Sequence, residues 1–496
     1  MGYSRPKKST MPSVSPFHTL LFSALLVALP ALLLLGPHHL PTAACTSSNA
    51  PAPSPSAAAA APSWSGDLRR AHFSWNRLQL PEGRSAPPPE PLKIAVFSRK
   101  WPAGPSPGGM ERHALTLHTA LARRGHRVHV FTSAPPAGAA PDGASPEGLN
   151  VHFLGNPPGQ WRSGEAWSLF KAEDEREAFD VVHSESVALP HRLARDVPNL
   201  AVTWHGIALE ALQSNIYQAL ASGPEEPMLP ALNSSLSGQP LKVLQEIRFF
   251  NDYAHHVAIS DSSGEMLRDV YQIPAGRVHV IVNGVDDEEF APDEPLGRAF
   301  RDEIGLPANA TLVMGVAGRL VRDKGHPLLH EAFSRLMGAH PGVYLVVAGS
   351  GPWAQRYADL RPRVVPLGAM PPSRLKAFYN AVDVFVNPTL RPQGLDLTLM
   401  EAMQCGTPVM ASRLPSIKGT VLVDEEFGHT FAPNAEALLE ALEAAVQEGP
   451  RRLAERGRAC RAYAAAMFTA RKMAAAYERL FLCMKNETYC GYPLTF

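Results

Sequence analysis

From Lys93 onward, short apolar runs of strand length alternate with amphipathic segments of helix length, and the alternation occurs twice. In the first series Ile94–Phe97, Val128–Phe131, Val181–His183, Leu200–Thr203 and Val257–Ser260 read as strands, with a helix predicted over Glu111–Arg124. The second series opens after Pro307: strands are predicted at Leu312–Val316, Tyr344–Gly349, Val364–Leu367 and Val384–Val386, and helices at His326–Leu336, at Pro372–Val382 and in the stretch ending at Gln404. Parallel strands need crossover helices, and the sheet they form must be covered on both faces. The expected fold class is therefore α/β, with two doubly wound Rossmann-like domains facing across a cleft. Ala-rich helices over Ala435–Gln447 and Arg451–Lys485 are long enough to run back across the first domain. The Gly-, Pro- and Ser-bearing stretch Gln213–Pro240 reads as an acceptor-side loop interrupting it.

At 496 residues the chain exceeds what one core usually supports, which agrees with two domains. A formal net charge of zero excludes a strongly basic nucleic-acid footprint. Many of the 48 prolines lie before Lys93, so the globular part is placed from about Pro91 onward. Ahead of it, Phe17–Gly36 is an apolar run preceded by Arg5, Lys7 and Lys8. Its length suits the roughly 20 residues of a bilayer-spanning helix, and the basic flank would keep the N-terminus cytosolic. A cleaved signal peptide, with small residues at Thr42-Ala43-Ala44, is the rival reading. The Pro/Ala/Ser-rich segment 37–91 reads as a stem with too little apolar bulk to order, interrupted by Trp64, Phe73 and Trp75. Sequons at Asn233, Asn309 and Asn486 mark expected glycosylation sites of a lumenal body. Cys483 and Cys490 are close enough to be bridged, with Cys460 an alternative partner, whereas Cys405 reads as a free buried thiol.

Two motifs carry chemistry. The stretch Gly318-Arg319-Leu320-Val321-Arg322-Asp323-Lys324-Gly325 follows a strand and precedes a helix, so Arg319 and Lys324 should emerge at the carboxyl edge of the second sheet. The run from Gln393 to Pro408 places a glycine turn before a helix whose free N–H groups would face the cleft, with Glu401 about one turn inside. Phosphates are met by guanidinium, ammonium and helix N-terminal N–H groups, and ribose hydroxyls by a carboxylate. His126 and His129 read as a solvated edge rather than metal ligands. With no Asp-x-Asp in the chain, no metal site is expected.

These motifs, with Gly108-Gly109-Met110-Glu111-Arg112-His113, Arg124-Gly125-His126, Thr203-Trp204-His205-Gly206, Asn283-Gly284-Val285-Asp286 and Gly349-Ser350-Gly351-Pro352, occur in an order that resembles the retaining glycosyltransferases of family 4, of GT-B fold. The resemblance spans roughly Lys93–Lys485. It implies that Gly108 and Gly109 approach phosphate, that Arg319 and Lys324 bind the diphosphate, and that Glu401 holds ribose. It implies a sugar-facing role for His205 and adds Gly351, Gln393, Gly394 and Leu395 to the donor site. Two positions depart from the family pattern: Gln393 stands where the first glutamate of a Glu-x7-Glu motif is usual, and Asp396 where glycine is usual. Gln393 keeps hydrogen-bonding capacity but brings no charge.

The implied activity is metal-independent transfer of a hexose or pentose from a nucleotide-diphosphate donor to a hydroxyl acceptor of glycan, lipid or small-molecule type, with retention and without a further cofactor. The expected address is a Golgi or other secretory-pathway membrane, single-pass type II. The expected divisions are a cytosolic tail (1–16), an anchor (17–36), a stem (37–91), an acceptor-side domain (92–300), a nucleotide-sugar domain (301–455) and a C-terminal helix returning to the first domain with a tail (456–496). A degenerate transferase that only binds a glycan or partner is the alternative. A nicotinamide-dependent oxidoreductase fits less well, because Gly104–Gly109 lacks Gly-x-Gly-x-x-Gly spacing.

Overall fold

The computed structural model describes residues 87–102, 107–135, 146–155, 157, 159–221, 230–250, 253–392 and 394–491. The apolar run 17–36, Trp64, Phe73, Trp75, all but the end of the stem, and Gln393 lie outside the described residues.

In the first sheet β1 (Lys93–Ser98), β2 (Arg127–Thr132), β3 (Leu149–Phe153), β4 (Val181–Glu185), β5 (Leu200–Trp204), β6 (His255–Ala258) and β7 (Val278–Val280) are ordered β3-β2-β1-β4-β5-β6-β7, every pair parallel. Its longer helices are α1 (Gly109–Arg123), α2 (Ser163–Arg176), α3 (Ala208–Leu220) and α4 (Pro230–Phe250). After α5 (Glu294–Glu303), the second sheet comprises β8 (Leu312–Ala317), β9 (Val343–Ala348), β10 (Val364–Gly368), β11 (Val384–Asn387), β12 (Val409–Ser412) and β13 (Gly428–Phe431). These run in the order β10-β9-β8-β11-β12-β13, again parallel throughout, with α6 (His326–Ala339), α7 (Pro372–Ala381) and α8 (Leu397–Gln404) among the crossovers. In each sheet the order reverses beside the first strand, which opens a crevice at the carboxyl ends of β1 and β4 and of β8 and β11. The central strands are buried on both faces, as their unbroken apolar runs require.

Several expectations need correction. The ends of Gln213–Pro240 are helical rather than loop: α3 continues an amphipathic pattern from Ala208 to Leu220, and α4 begins at Pro230 and carries Pro240 inside it, while residues 222–229 lie outside the described residues. The Ala-rich end forms α9 (Ala435–Met467), broken at Gly449, whose φ of 73° lies outside the helical region, and α10 (Ala470–Lys485). Arg451–Lys485 is therefore two helices; Thr469 caps the second by accepting from the Lys472 N–H. His126 does not sit at a solvated edge. It is buried, accepts the Leu92 N–H at Nδ1 (3.1 Å) and approaches Glu478 through Nε2 (2.8 Å), while His129 is half-buried against His152. The cysteines agree with expectation: Cys483 and Cys490 form the disulfide and Cys405 is free and buried, as is Cys460, the alternative partner.

α9 packs in the second core and α10 against α1 and β4 of the first domain, so one chain segment crosses between the two. Residues 472–484 of α10 are buried throughout. Glu478, fully buried, accepts from Arg124 Nε (2.6 Å) and Nη2 (2.7 Å) and faces His126. Removing one partner of such a network leaves the others desolvated and unmatched. Glu478→Ala should therefore cost about 3–5 kcal/mol in urea unfolding, with Glu478→Gln intermediate. A wild-type midpoint for the alanine variant would show that α10 is held by its apolar contacts alone.

Candidate active site

A cavity of about 500 Å³ lies where the carboxyl ends of the two sheets meet. Segments following β1, β5, β6 and β7 line one side, and those following β8, β9, β10 and β11 the other. Lys100, Arg112, Arg319, Lys324 and Arg391 bring five cations to its wall, against the carboxylates of Glu111 and Asp396. That excess of fixed positive charge around a partly enclosed space suits a polyanionic ligand.

The loop bearing Arg319 and Lys324 is held from behind. His326 Nε2 donates to the Arg319 carbonyl (3.1 Å), its Nδ1 meets the Tyr357 hydroxyl (2.9 Å), and the Leu320 N–H donates to Ser350 O (2.9 Å). Burial pushes His326 down to about 4, so it is neutral at physiological pH. Gly325 turns the chain at φ 74°, where a Cβ would lie 1.7 Å from the Pro388 carbonyl oxygen. This close approach places Lys324 beside the 387–396 loop. Lys324 Nζ pairs with Asp396, which also accepts from Asn387 Nδ2 (3.1 Å), while the Arg319 side chain remains exposed, 3.8 Å from Asp323. Burial raises the Asp396 carboxyl, but the Lys324 ammonium outweighs it and holds the group below its ordinary value.

Gly108 N-caps α1, and Gly108, Gly109, Gly394 and Leu395 line the cavity. The Gly394 N–H donates to Glu210 Oε1 (2.8 Å), a buried carboxylate on α3 that also faces Arg391 Nε (3.4 Å). Gly349 and Ser350 reach the cavity, whereas Gly351 is packed against Leu320. Glu401 is fully buried behind the wall: Oε1 accepts from Arg112 Nη2, and Oε2 from the Tyr379 hydroxyl (2.7 Å). Both oxygens are thus committed to protein donors, and Arg112, not Glu401, meets the cavity. Neither Arg112, which lies within the Gly108–His113 motif, nor Arg391, two residues before Gln393, is assigned a role by the sequence alone. The partner carboxylates Glu401 and Glu210 that orient them come from the opposite domain, and spacing along the chain carries no signal for that.

His205, at the tip of β5, lines the cavity with its side chain 11% exposed. Its Nε2 lies 2.6 Å from Glu185 Oε2, and His118 Nε2 lies 2.9 Å from Glu185 Oε1. Burial pushes His113 and His183 down to about 3, so both are neutral. Burial acts to raise the Glu185 carboxyl, but His183, His118 and His205 overcome it and hold the group well below its ordinary value. Among the described residues, His113, Glu185 and His205, and likewise His118, His183 and Glu185, bring ligand atoms within 4.8 Å of one another, and so could in principle hold a metal.

The Glycosyltransferase Family 4 profile matches residues 107–289, and the profile of Glycosyl transferases group 1 matches residues 311–448. A D-inositol 3-phosphate glycosyltransferase of Xylanimonas cellulosilytica is 28% identical over 361 residues, covering 67% of this chain and 82% of its own length. An uncharacterized glycosyltransferase of Methanocaldococcus jannaschii is 27% identical over 334 residues, 65% of this chain and 80% of its own. The fold is similar to that of sucrose-phosphate synthase from Thermosynechococcus elongatus (TM-score 0.63, 22% identity, 79% of this chain and 98% of that one). It is also similar to that of Anabaena HepE, solved with UDP-glucose (TM-score 0.56, 18% identity, 78% and 99%).

These findings overturn the expected secretory-pathway, type II membrane address. The sequence relatives named here come from a bacterium and an archaeon, cells without a Golgi, and among the described residues no helix is long and apolar enough to cross a membrane. Asn233, Asn309 and Asn486 are exposed, but with that address gone nothing supports their glycosylation.

The buried histidines give the site a pH signature. His113 and His183 bind a proton near pH 6.5 when unfolded but only near pH 3 when folded, so the unfolded state binds more protons between these values. Their contribution is fully present above about 6.5 and is lost as pH falls toward about 3; Glu185, depressed below its unfolded value, acts in the same direction at lower pH. The urea midpoint should therefore fall between about pH 7.5 and about pH 5, and His113→Phe, which replaces a ring whose nitrogens have no hydrogen-bond partner, should flatten that fall. Equal midpoints at the two pH values would contradict the neutral assignment. The two profile matches, one on each sheet, support a glycosyltransferase of the family 4, group 1 type, and the fold is the GT-B architecture.

Proposed function

We propose that the protein transfers a hexose or pentose from a nucleotide-diphosphate sugar to a hydroxyl acceptor with retention of anomeric configuration, and without a metal. The observation that carries this reading is the convergence of Lys100, Arg112, Arg319, Lys324 and Arg391 on one cavity at the carboxyl edges of both sheets. The 92–300 region would present the acceptor and the 301–455 region the donor, with 456–496 returning to the first.

In this reading Arg319 and Lys324 stabilise the charge that grows on the departing diphosphate, and the N-terminus of α1 adds backbone donors beyond Gly108, whose own N–H is taken by the Glu111 carboxylate. The diphosphate leaves from the face on which the acceptor enters and takes its proton, so no enzyme nucleophile is required. Glu401 would act through Arg112, fixing the guanidinium at the wall. Gln393 and His205 would face the sugar. The UDP-glucose complex of HepE makes uridine diphosphate sugars the first donors to try.

The pairing of Lys324 with Asp396 also favours a second reading, a protein that binds nucleotide or glycan without transfer, because that cation is already neutralised. Released nucleotide from a panel of donors decides between them. Arg319→Ala and Lys324→Ala should each lower turnover at least about tenfold, with chelator leaving activity intact. Wild-type rates in both variants would reduce the pair to surface charge, and abolition by chelator would point to a metal.

Asp396→Asn removes the anion beside Lys324 and should tighten binding of uridine diphosphate several-fold, read by calorimetry at low and high salt. Weaker binding would mean that Asp396 orients the lysine rather than competes with the ligand.

A further inference from the structure

The strands β4 and β5 are neighbours, with Glu185 in register with Thr203. Side chains two apart on a strand share a face. His183 and Glu185 therefore stand on the same face as Thr203 and His205, and α1 and α10 cover that face. The result is a dry cluster: Glu185 is 0% exposed, its two oxygens meet His118 and His205 separately, and His183 Nδ1 lies 3.9 Å from Oε1. His183 Nε2 bonds Thr203 Oγ1 (2.8 Å), which meets the Tyr477 hydroxyl (2.8 Å), and the His113 ring packs edge-on to His205 at 4.6 Å between centroids.

We propose that Glu185 is the positioning residue of His205: its carboxylate accepts the Nε2–H, fixes the tautomer and ring plane, and leaves Nδ1 as the polar atom available to the bound sugar or the incoming hydroxyl. A carboxylate hydrogen-bonded to one ring nitrogen sets which tautomer the other presents. His118 holds the second oxygen, so the carboxylate cannot swing away, and the depth of the cluster keeps water from replacing either partner. Both Glu185 oxygens already have partners at hydrogen-bond distance, so the carboxylate is matched by the two histidines, whereas both His113 nitrogens and Nδ1 of His118 and His183 have none, which keeps a metal as the competing outcome of the test. The inference rests on the transferase reading only for what Nδ1 touches.

Two groups touch the His205 ring directly: the Glu185 carboxylate at Nε2 and the His113 ring packed edge-on. His113 and His183 are neutral, so Glu185 supplies the dominant charge in contact with the ring. The test is long-range ¹⁵N–¹H NMR of the full chain labelled in its histidine rings, with His205 assigned through His205→Gln. Above its titration, the wild-type ring should carry its proton on Nε2; a proton on Nδ1 with a bare Nε2 would overturn the proposal, and this needs no variant of Glu185. In Glu185→Gln, whose amide can turn an N–H toward Nε2, the fixed Nε2–H preference should relax and the Nδ1–H tautomer become populated. An unchanged tautomer population would also overturn it, as would stoichiometric zinc in the purified protein that is lost in Glu185→Gln, since both residues would then be ligands. If transfer is found, Glu185→Gln should lower kcat at least about tenfold and leave the donor KM within about threefold. The expected tautomer without any transfer would sink the transferase reading and leave the positioning intact.

Discussion

A carboxylate withdrawn from water must be matched by donors, and four glutamates with almost no exposure tie this molecule together. Glu478 joins α10 to Arg124 and His126 in the first domain. Glu401 joins α8 to Arg112 on α1 and to Tyr379 on α7. Glu210 joins α3 to the Gly394 loop, and Glu185 joins β4 to α1 and the tip of β5. Two of the four, Glu210 and Glu401, cross between the domains beside the cavity. Because an unmatched buried charge is so costly, each pairing fixes where its partner can be.

The cavity inherits its electrostatics from these pairings. Arg112 is oriented by Glu401 and Arg391 by Glu210, so two of its five cations reach the wall already partnered from behind. Attraction to Glu210 raises Arg391 above its ordinary value; burial lowers Arg112, but Glu401 more than offsets that. Both remain charged. Lys324 differs, because its partner Asp396 stands on the cavity wall with it. Ligand phosphate and Asp396 thus compete for one ammonium, and the substitution of aspartate for glycine noticed in the sequence acquires a physical consequence.

Parallel sheets were legible because strands buried on both faces must be apolar without interruption, as Leu312–Val316 and Ile94–Phe97 are. Gly325 and the positions of Arg319 and Lys324 were legible because a strand-turn-helix unit puts its turn at the carboxyl edge wherever it occurs. The α3–α4 helices were misread because Pro240 and a Gly/Ser composition signal a loop, while packing against neighbouring elements overrode that local preference. His126 was misread as solvated, since nothing near it in the chain announces Glu478, 352 residues away.

By itself the sequence determined the two-domain α/β class, the central strands though not β3, β7, β12 and β13, and the turns that carry Arg319, Lys324, His205 and the glycines, because these follow from periodicity and local backbone chemistry. The tertiary structure alone decided that Glu401 faces Arg112 and Tyr379, that Lys324 is paired with Asp396, that Arg391 joins the wall, and that Glu185 stands behind His205. The reason is that a charge's partner is chosen by proximity in space and by the absence of water, and neither is written in spacing along the chain.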